Sequence, residues 1–188
     1  MLGVFDHKIS KSISSLAPEA IHLSHHLTIN QLSNFYEYQL GFDVLMRYLH
    51  SNILLNQLSF FGCATIPGGQ TVFAGNRPGN NTPSFTFIVV KLKRSGIEYV
   101  RLAKVLLFVM IKDEKRVVIQ YLEQIPGEYV HKCPVVRISN KCFDVVKIES
   151  IQSKLPILPD YANVAAGLLV VNIHCIRFNE GLLQKWVN

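Results

Sequence analysis

The second half of the chain is a succession of apolar runs of strand length, separated by short charged turns. In the first run Thr86, Ile88 and Val90 alternate with their neighbours, as expected of a strand with two different faces. β-Branched and aromatic residues dominate the later runs, which also favours strands. The runs cover residues 85–92, 99–111, 116–122, 134–138, 143–148 and 167–178. We therefore predict a mainly antiparallel barrel or curved sheet of five or six strands.

Polar segments between these runs predict tight connections. Residues 94–96 (RSG) and 112–115 (KDEK) each separate two apolar runs and are typical of hairpin turns. Residues 139–141 (SNK) are predicted to turn the chain in the same way. Pro156 and Pro159 interrupt any further strand and predict an extended connection.

The first part of the chain has helical periodicity. Pro18 suits the first turn of a helix over residues 19–25, because proline has no amide proton to leave unpaired there. Thr28 and Gln31 have the spacing of a capping box, and apolar residues follow at steps of three and four. Gly41 is predicted to divide this stretch into two short helices. A further short helix is predicted over residues 179–188. The predicted fold class is therefore α+β, with short N-terminal helices before the β part.

Residues 62–84 are rich in glycine, proline and asparagine. Such a composition is typical of a loop or linker, and its length favours a boundary between two parts of the chain. We predict a helical segment over residues 1–61, a linker over residues 62–84, and a small β domain over residues 85–188 that ends in the short helix.

Composition narrows the class of protein. Of the 188 residues, 49% are hydrophobic and 17% charged, which is enough to form a core. The N-terminus lacks the pattern of a signal peptide, and no apolar run approaches the roughly 20 residues that span a bilayer. We expect an intracellular, soluble protein that has no membrane partner and whose four cysteines are free. The net charge of +6 favours an acidic partner.

Catalytic and metal-binding patterns are scarce. The sequence has no CxxC pair, no GxSxG turn and no phosphate-binding glycine loop. His22, His25 and His26 are spaced as neighbours on a helix, but they lack the glutamate of an HExxH zinc site. We therefore predict a non-enzymatic chain with no cofactor and no small-molecule substrate. The alternative is a small metal-dependent enzyme with its site near three residues, His131, Cys133 and His174.

The remaining candidate chemistry is nucleic-acid binding. Cationic residues and one aromatic cluster around the first predicted hairpin, where they could contact phosphates and stack on a base. The alternative is that they form the solvated rim of a β domain. The candidate residues are Lys91, Lys93, Arg94, Tyr99, Arg101 and Lys104.

The order of the segments resembles a known family. The segments are residues 25–49, 105–111 (VLLFVMI), 117–123 (VVIQYLE), 133–139 (CPVVRIS), 143–161 (FDVVKIESIQSKLPILPDY) and 169–181. Together they resemble the C-terminal region of transposon-encoded proteins common in fungi, of the Plavaka and Kyakuja–Dileera–Zisupton type. Two features depart from the family: Tyr121 stands where tryptophan is common, and residues 174–177 (HCIR) replace the closing aspartate and histidine pattern. Residues 144–158 are also similar to the end of bromo-adjacent homology domains, small β domains associated with chromatin.

The resemblance implies a non-catalytic accessory module that has been separated from a transposase core. Its expected partners are DNA, a chromatin protein or other parts of a transposase, and its expected location is the nucleus. The resemblance supplies no catalytic residue. Residue chemistry alone leaves both the interaction module and the metal-dependent enzyme open.

Overall fold

The computed structural model describes residues 20–49, 55–75, 86–155, 157–159 and 167–172. The predicted C-terminal helix over residues 179–188 lies outside these ranges. Ten strands and two α-helices are found within them. The prediction of an α+β fold with a curved antiparallel sheet is confirmed.

The helix predicted over residues 19–25 is wrong where the structure describes it, because His22–Leu27 forms strand β1. β1 pairs antiparallel with strand β2, Leu58–Ile66, from His22 opposite Thr65 to Leu27 opposite Phe60. Gly62 of β2 lies against His25, and a Cβ at Gly62 would overlap the imidazole ring. Pairing with a distant strand overrides the local helical preference of this segment.

The two predicted helices are present, but they divide at another residue. Helix α1, Ile29–Asn34, begins with the predicted capping box: Gln31 N–H donates to Thr28 Oγ1 at 3.3 Å, and Thr28 N–H donates to Gln31 Oε1 at 2.9 Å. Helix α2, Tyr36–Tyr48, follows after Phe35, whose extended backbone breaks the helix. The predicted break at Gly41 is wrong.

Gly41 instead brings α2 close to the sheet. A Cβ at Gly41 would lie 3.0 Å from the Cβ of Leu107 and 3.1 Å from the Cβ of Leu106. Both leucines are fully buried. The glycine therefore allows a close approach of helix to strand that its helix propensity does not reveal.

The loop predicted over residues 62–84 is wrong for residues 62–66, which belong to β2, and for residues 70–73. Strand β3, Gln70–Phe73, pairs back on β2 through a turn in which Gly68 and Gly69 both have positive φ. Glycine adopts these dihedrals without steric cost, so the glycine-rich composition marks a hairpin here. Residues 76–85 lie outside the described ranges.

Four long strands form the centre of the sheet: β4 (Phe87–Arg94), β5 (Ile97–Ile111), β6 (Glu114–Val130) and β7 (Cys133–Lys147). Each joins the next through a two-residue turn, so the hairpins predicted at residues 94–96 and 112–115 are confirmed. The turn predicted at residues 139–141 is wrong. Those residues lie in a bulge of β7, where the Ser139 Oγ accepts the Cys142 N–H at 3.1 Å.

The sheet curls back toward itself at one side. Its main path is β1-β2-β5-β6-β7-β10-β9, with β10 at Leu169–Val171 and β9 at Ile157–Pro159. Strand β8, Ile151–Lys154, follows β7 but pairs with β4, which lies at the far side of β5 and β6. The β4–β7 strands are thereby curled into a half-barrel.

Two apolar clusters cover the two faces of this curled sheet. Ile88 and Val90 of β4 belong to the main cluster, with Leu45 of α2 and Phe108 of β5. Val89, between them in sequence, belongs to the second cluster. Because side chains alternate along a strand, β4 contributes to both clusters. The neighbouring strand β5 does the same, with Leu102 in the second cluster and Ala103 in the main one. This explains why the strands at the centre read as continuous apolar runs.

Candidate binding groove

A groove of about 530 Å³ lies between the β4–β5 hairpin and the segment that runs from the end of β7 into β8. We call it the hairpin groove. Leu92 lies in it on the hairpin side, and the buried Val145 and Val146 lie opposite. Its lining residues are Lys91, Leu92, Lys93, Arg94, Glu98, Tyr99, Asp144, Val145, Val146, Lys147, Glu149, Ser150 and Gln152. Four of the six residues predicted to bind nucleic acid are among them.

One wall of the groove is an edge of β4. β8 pairs with β4 only from Ile88 to Val90, opposite Lys154 and Ile151 respectively. Within the described ranges, no strand pairs with this outer edge beyond Val90. The part of this edge beyond Val90 lines the groove and lies near the short 3-10 helix Ile148–Ser150, which precedes β8.

The direction of the β4 backbone groups follows from two hydrogen bonds. On the β5 side, Val105 N–H donates to the Thr86 carbonyl at 3.1 Å; on the outer side, Leu155 N–H donates to the Phe87 carbonyl at 2.7 Å. Backbone groups alternate in direction along an antiparallel strand. Lys93, six residues after Phe87, therefore directs its N–H and C=O toward the outer edge and the groove.

The opposite wall is an edge of β7, where one donor is already satisfied. Val145 N–H donates to Asp144 Oδ1 at 2.7 Å. The second oxygen, Asp144 Oδ2, accepts the Tyr121 hydroxyl at 2.9 Å. Burial, and then this hydrogen bond, raises the pKa of Tyr121, so its hydroxyl stays a donor at neutral pH. The Asp144 carboxylate is thus held between β6 and β7.

The structure separates the predicted nucleic-acid residues by face. Lys91 is opposite Val100 and Lys93 is opposite Glu98, so these two lysines share one face of the hairpin. Cross-strand partners lie on the same face, which alternates along each strand. Arg94, Tyr99 and Arg101 share the other face, and Arg94 and Arg101 are exposed.

Lys104 does not join this surface. It is only 7% exposed, and burial lowers the pKa of its ammonium while the nearby Glu37 opposes that shift. A side chain that is buried among strands cannot reach a phosphate in solution. Residues 102–109, the apolar run that contains Lys104, are buried throughout. The position of Lys104 within an apolar run is therefore the feature of the sequence that indicates its burial.

The charges of the groove leave a cationic excess on the hairpin side. Lys91 Nζ lies 2.8 Å from Glu98 Oε2, and both side chains are substantially exposed. With Lys91 in this ion pair and Asp144 accepting two hydrogen bonds, the remaining exposed charges are three cations and one carboxylate: Lys93, Arg94, Lys147 and Glu149. The groove therefore favours an acidic ligand.

The residues of the β7 wall were missed by sequence reasoning. Asp144, Lys147 and Glu149 lie about 50 positions from the hairpin along the chain, and only the curl of the sheet brings them to it. No local pattern in the sequence connects Asp144 to Lys93.

His131 and Cys133, the two described residues of the predicted metal site, lie apart from the groove. His131 and Lys132 form the two-residue turn between β6 and β7, both with positive φ. Cys133 follows in β7, is 7% exposed, and packs with Val135 and Val170. His174 lies outside the described ranges. Within those ranges no group of three His, Cys, Asp or Glu side chains is placed to hold a metal ion, so the metal-enzyme alternative stays a prediction.

The helices of the described ranges are too short or too polar to cross a membrane. The resemblance to fungal transposon-encoded proteins and to bromo-adjacent homology domains stays a prediction. No protein-family model, no curated protein and no solved structure matches this chain.

Proposed function

We propose that this chain is a non-catalytic interaction module that binds a segment of a partner protein in the hairpin groove. One observation carries the proposal: the groove lies between two edges of the same curled sheet, with apolar residues and exposed ionic side chains along it. Burial of apolar area provides affinity for a protein segment, and the charged residues at the rim determine whether an acidic or a basic segment is preferred.

The ionic groups of the groove suit recognition better than acid–base chemistry. The exposed charged residues of the groove are Lys93, Arg94, Glu98, Lys147 and Glu149. Water and salt weaken the interactions of these groups with one another, but their combined field can still attract a charged partner to the surface. Asp144 is engaged by the Tyr121 hydroxyl and by a backbone amide, which stabilise the carboxylate in one orientation.

The predicted family suggests where such a partner could come from. In a transposon-encoded protein, an accessory module would contact the catalytic part of the transposase or a chromatin protein. Both are proteins, which agrees with a groove built from strand edges. This choice of partner depends on the resemblance to the transposon-encoded proteins, which was described for residues 25–49 and for segments between residues 105 and 181.

A second candidate function is binding of nucleic acid by the same hairpin. It is favoured by Arg94, Tyr99 and Arg101, which share one face of the β4–β5 pair. Two guanidinium groups beside an aromatic ring could hold a phosphate and stack on a base. The carboxylates of Glu98 and Glu149 nearby oppose it, since they repel a polyanion.

The test compares two labelled probes on the purified chain at physiological salt. One is a short peptide of alternating glutamate and valine; the other is single-stranded or duplex DNA. We expect the peptide to bind, and the double substitution Lys93→Glu with Arg94→Glu to weaken it roughly tenfold or more. The matched control is Arg47→Glu with Lys141→Glu, which changes the net charge equally at exposed positions of α2 and of the β7 bulge.

Equal weakening by the groove pair and by the control pair would show that net charge, and not the groove, attracts the peptide. Tighter binding of DNA than of the peptide, lost on Arg94→Glu or Arg101→Glu and steeply dependent on salt, would establish the second function in place of the first.

A further inference from the structure

We infer that the hairpin groove binds its ligand by strand addition: an extended acidic segment of the partner pairs with the outer edge of β4 at Lys93. The inference rests on the proposed function and states how the partner is held. Its support is the backbone of β4 together with the charge of the groove.

The first support is a length of β4 edge with which no strand pairs in the part of the chain that the structure describes. β4 keeps its pairing with β5 as far as Arg94, opposite Ile97, whereas β8 leaves the other edge after Val90. A register shift between Val89 and Val90 marks the place where β8 diverges. The last part of β4 is therefore held in strand geometry by β5 alone, and a free edge held in this way is a template for another strand.

The second support is the direction of the Lys93 backbone. The Phe87 carbonyl accepts from Leu155 on the outer side, so the odd-numbered positions of β4 direct their hydrogen-bonding groups outward. Lys93 thus offers one donor and one acceptor at the groove, as an incoming strand requires.

The third support is that the facing edge of β7 is blocked. The donor of Val145 is taken by the Asp144 carboxylate, which is itself held by Tyr121. A charged group placed on a strand edge is a common protection against pairing. An added strand is therefore directed to β4.

The chemistry of the partner follows from the charges that remain. Lys93 and Arg94 lie at the β4 edge and Lys147 faces them from β7, and the Glu149 carboxylate also lies in the groove. Alternate side chains of an added strand point to opposite faces. Lys93 and Leu92 lie on opposite faces of β4. A segment in which acidic residues alternate with aliphatic ones can therefore direct its carboxylates toward the face of Lys93 and its apolar groups toward the face of Leu92.

The deciding experiment separates the backbone of Lys93 from its charge. Lys93→Ala removes the ammonium and keeps the N–H, whereas Lys93→Pro removes both. Because Lys93 directs its N–H away from β5, proline at this position removes no bond of the β4–β5 ladder. With the alternating glutamate–valine peptide as the probe, we expect Lys93→Pro to bind roughly five- to tenfold more weakly than Lys93→Ala.

A second measurement varies the peptide on the unaltered protein. One peptide is N-methylated at every glutamate and another at every valine, so that each loses the donors on one edge only. Strand addition predicts that one of the two binds like the parent and the other does not. This arm holds even if Lys93→Pro disturbs folding, which thermal unfolding of the variant would reveal.

The outcomes also separate the two proposals. If the peptide binds in the groove but Lys93→Pro equals Lys93→Ala and both methylated peptides bind alike, strand addition is wrong and the interaction module stands. If no peptide binds, or if DNA displaces it from the groove, both proposals fail. An edge-dependent loss in both arms supports strand addition.

Discussion

The Tyr121 hydroxyl donates to Asp144 Oδ2 at 2.9 Å and so connects β6 to β7 beside the hairpin groove. The same carboxylate accepts the Val145 N–H through its other oxygen, at 2.7 Å. One side chain from a central strand therefore fixes the carboxylate that occupies the β7 edge. This arrangement satisfies the Val145 donor on the β7 side of the groove, so we propose β4 as the edge to which a ligand strand adds.

Replacing Tyr121 by phenylalanine tests this connection. The change removes the hydroxyl from a half-buried position and leaves Asp144 without one partner, so we expect the free energy of unfolding to fall by about 1–2 kcal/mol in urea titrations. The control is Tyr129→Phe, because that hydroxyl is near the surface and accepts from Gln124 at 3.3 Å. A loss at Tyr121 no larger than at Tyr129 would contradict the structural role of the pair.

Gly41→Ala is expected to destabilise the protein although alanine favours helix. The gain in helix propensity is about 1 kcal/mol, whereas the added Cβ meets the buried Leu106 and Leu107 at 3.1 and 3.0 Å. Overpacking of this kind costs about 1–3 kcal/mol, so the net change in unfolding free energy is a loss. Gln39→Ala on the exposed side of α2 should stay within about 0.5 kcal/mol. Stabilisation by Gly41→Ala would show that α2 lies farther from β5.

The stability of the fold should decline at alkaline pH partly through Tyr38. Burial, followed by the nearby Cys63 and Glu37, raises the pKa of Tyr38 to about 12. In the unfolded chain tyrosine ionises near its ordinary value of about 10. The unfolded state then binds fewer protons than the folded state, so stability is lost as pH rises from about 10 to about 12.

The variant Tyr38→Phe separates the ionisation of Tyr38 from that of the other groups that titrate at alkaline pH. It loses the bond from the Tyr38 hydroxyl to the Ala74 carbonyl, 2.7 Å long, and is less stable at pH 7. Its unfolding free energy should nevertheless decline less steeply than that of the wild type between pH 10 and 12. Parallel curves for the two proteins would show that Tyr38 ionises alike in both states.

Lys104→Met is expected to raise the unfolding free energy at pH 7 by about 1 kcal/mol. The substitution keeps the length of a buried side chain and removes an ammonium whose burial is unfavourable. Binding of the acidic peptide should be unchanged, because Lys104 is not at the groove. Denaturant titration measures the first effect and the peptide titration the second. Weaker binding by Lys104→Met at unchanged stability would place Lys104 at the ligand.

Metal analysis of the purified chain tests the alternative function near Cys133. His131 lies in a tight turn and the Cys133 thiol packs against Val135 and Val170, which is not the open tetrahedral arrangement that zinc requires. We expect no stoichiometric zinc and an unchanged melting temperature in the presence of a chelator. One zinc per chain, lost on Cys133→Ala, would establish the metal site.

Much of the sheet could be predicted from local pattern. The hairpins at Ser95-Gly96 and Lys112-Asp113 follow from two apolar runs separated by turn residues, and the Thr28–Gln31 box follows from a spacing of three. Errors arose where distant pairing decides the structure. His22–Leu27 reads as helix but pairs with β2, and residues 139–141 read as a turn but bulge within β7.

The hairpin groove was predictable on one wall only. Lys91, Lys93, Arg94 and Tyr99 are neighbours in sequence, so a hairpin was sufficient to bring them together. Lys104 has the same charge and lies near them along the chain, yet it is buried, because the curl of the sheet covers both faces of β5 at that point.

Turn residues and apolar alternation act over a few positions, so the order of amino acids is enough to predict a curved antiparallel sheet with short helices. Three relations follow only from the folded arrangement: β8 leaves the β4 edge after Val90, Asp144 lies at the facing edge of β7, and the backbone N–H and C=O of Lys93 point into the groove between these edges. These relations depend on the register and closure of strands far apart in the chain. Register and closure are set by the packing of the whole core, which no single segment encodes.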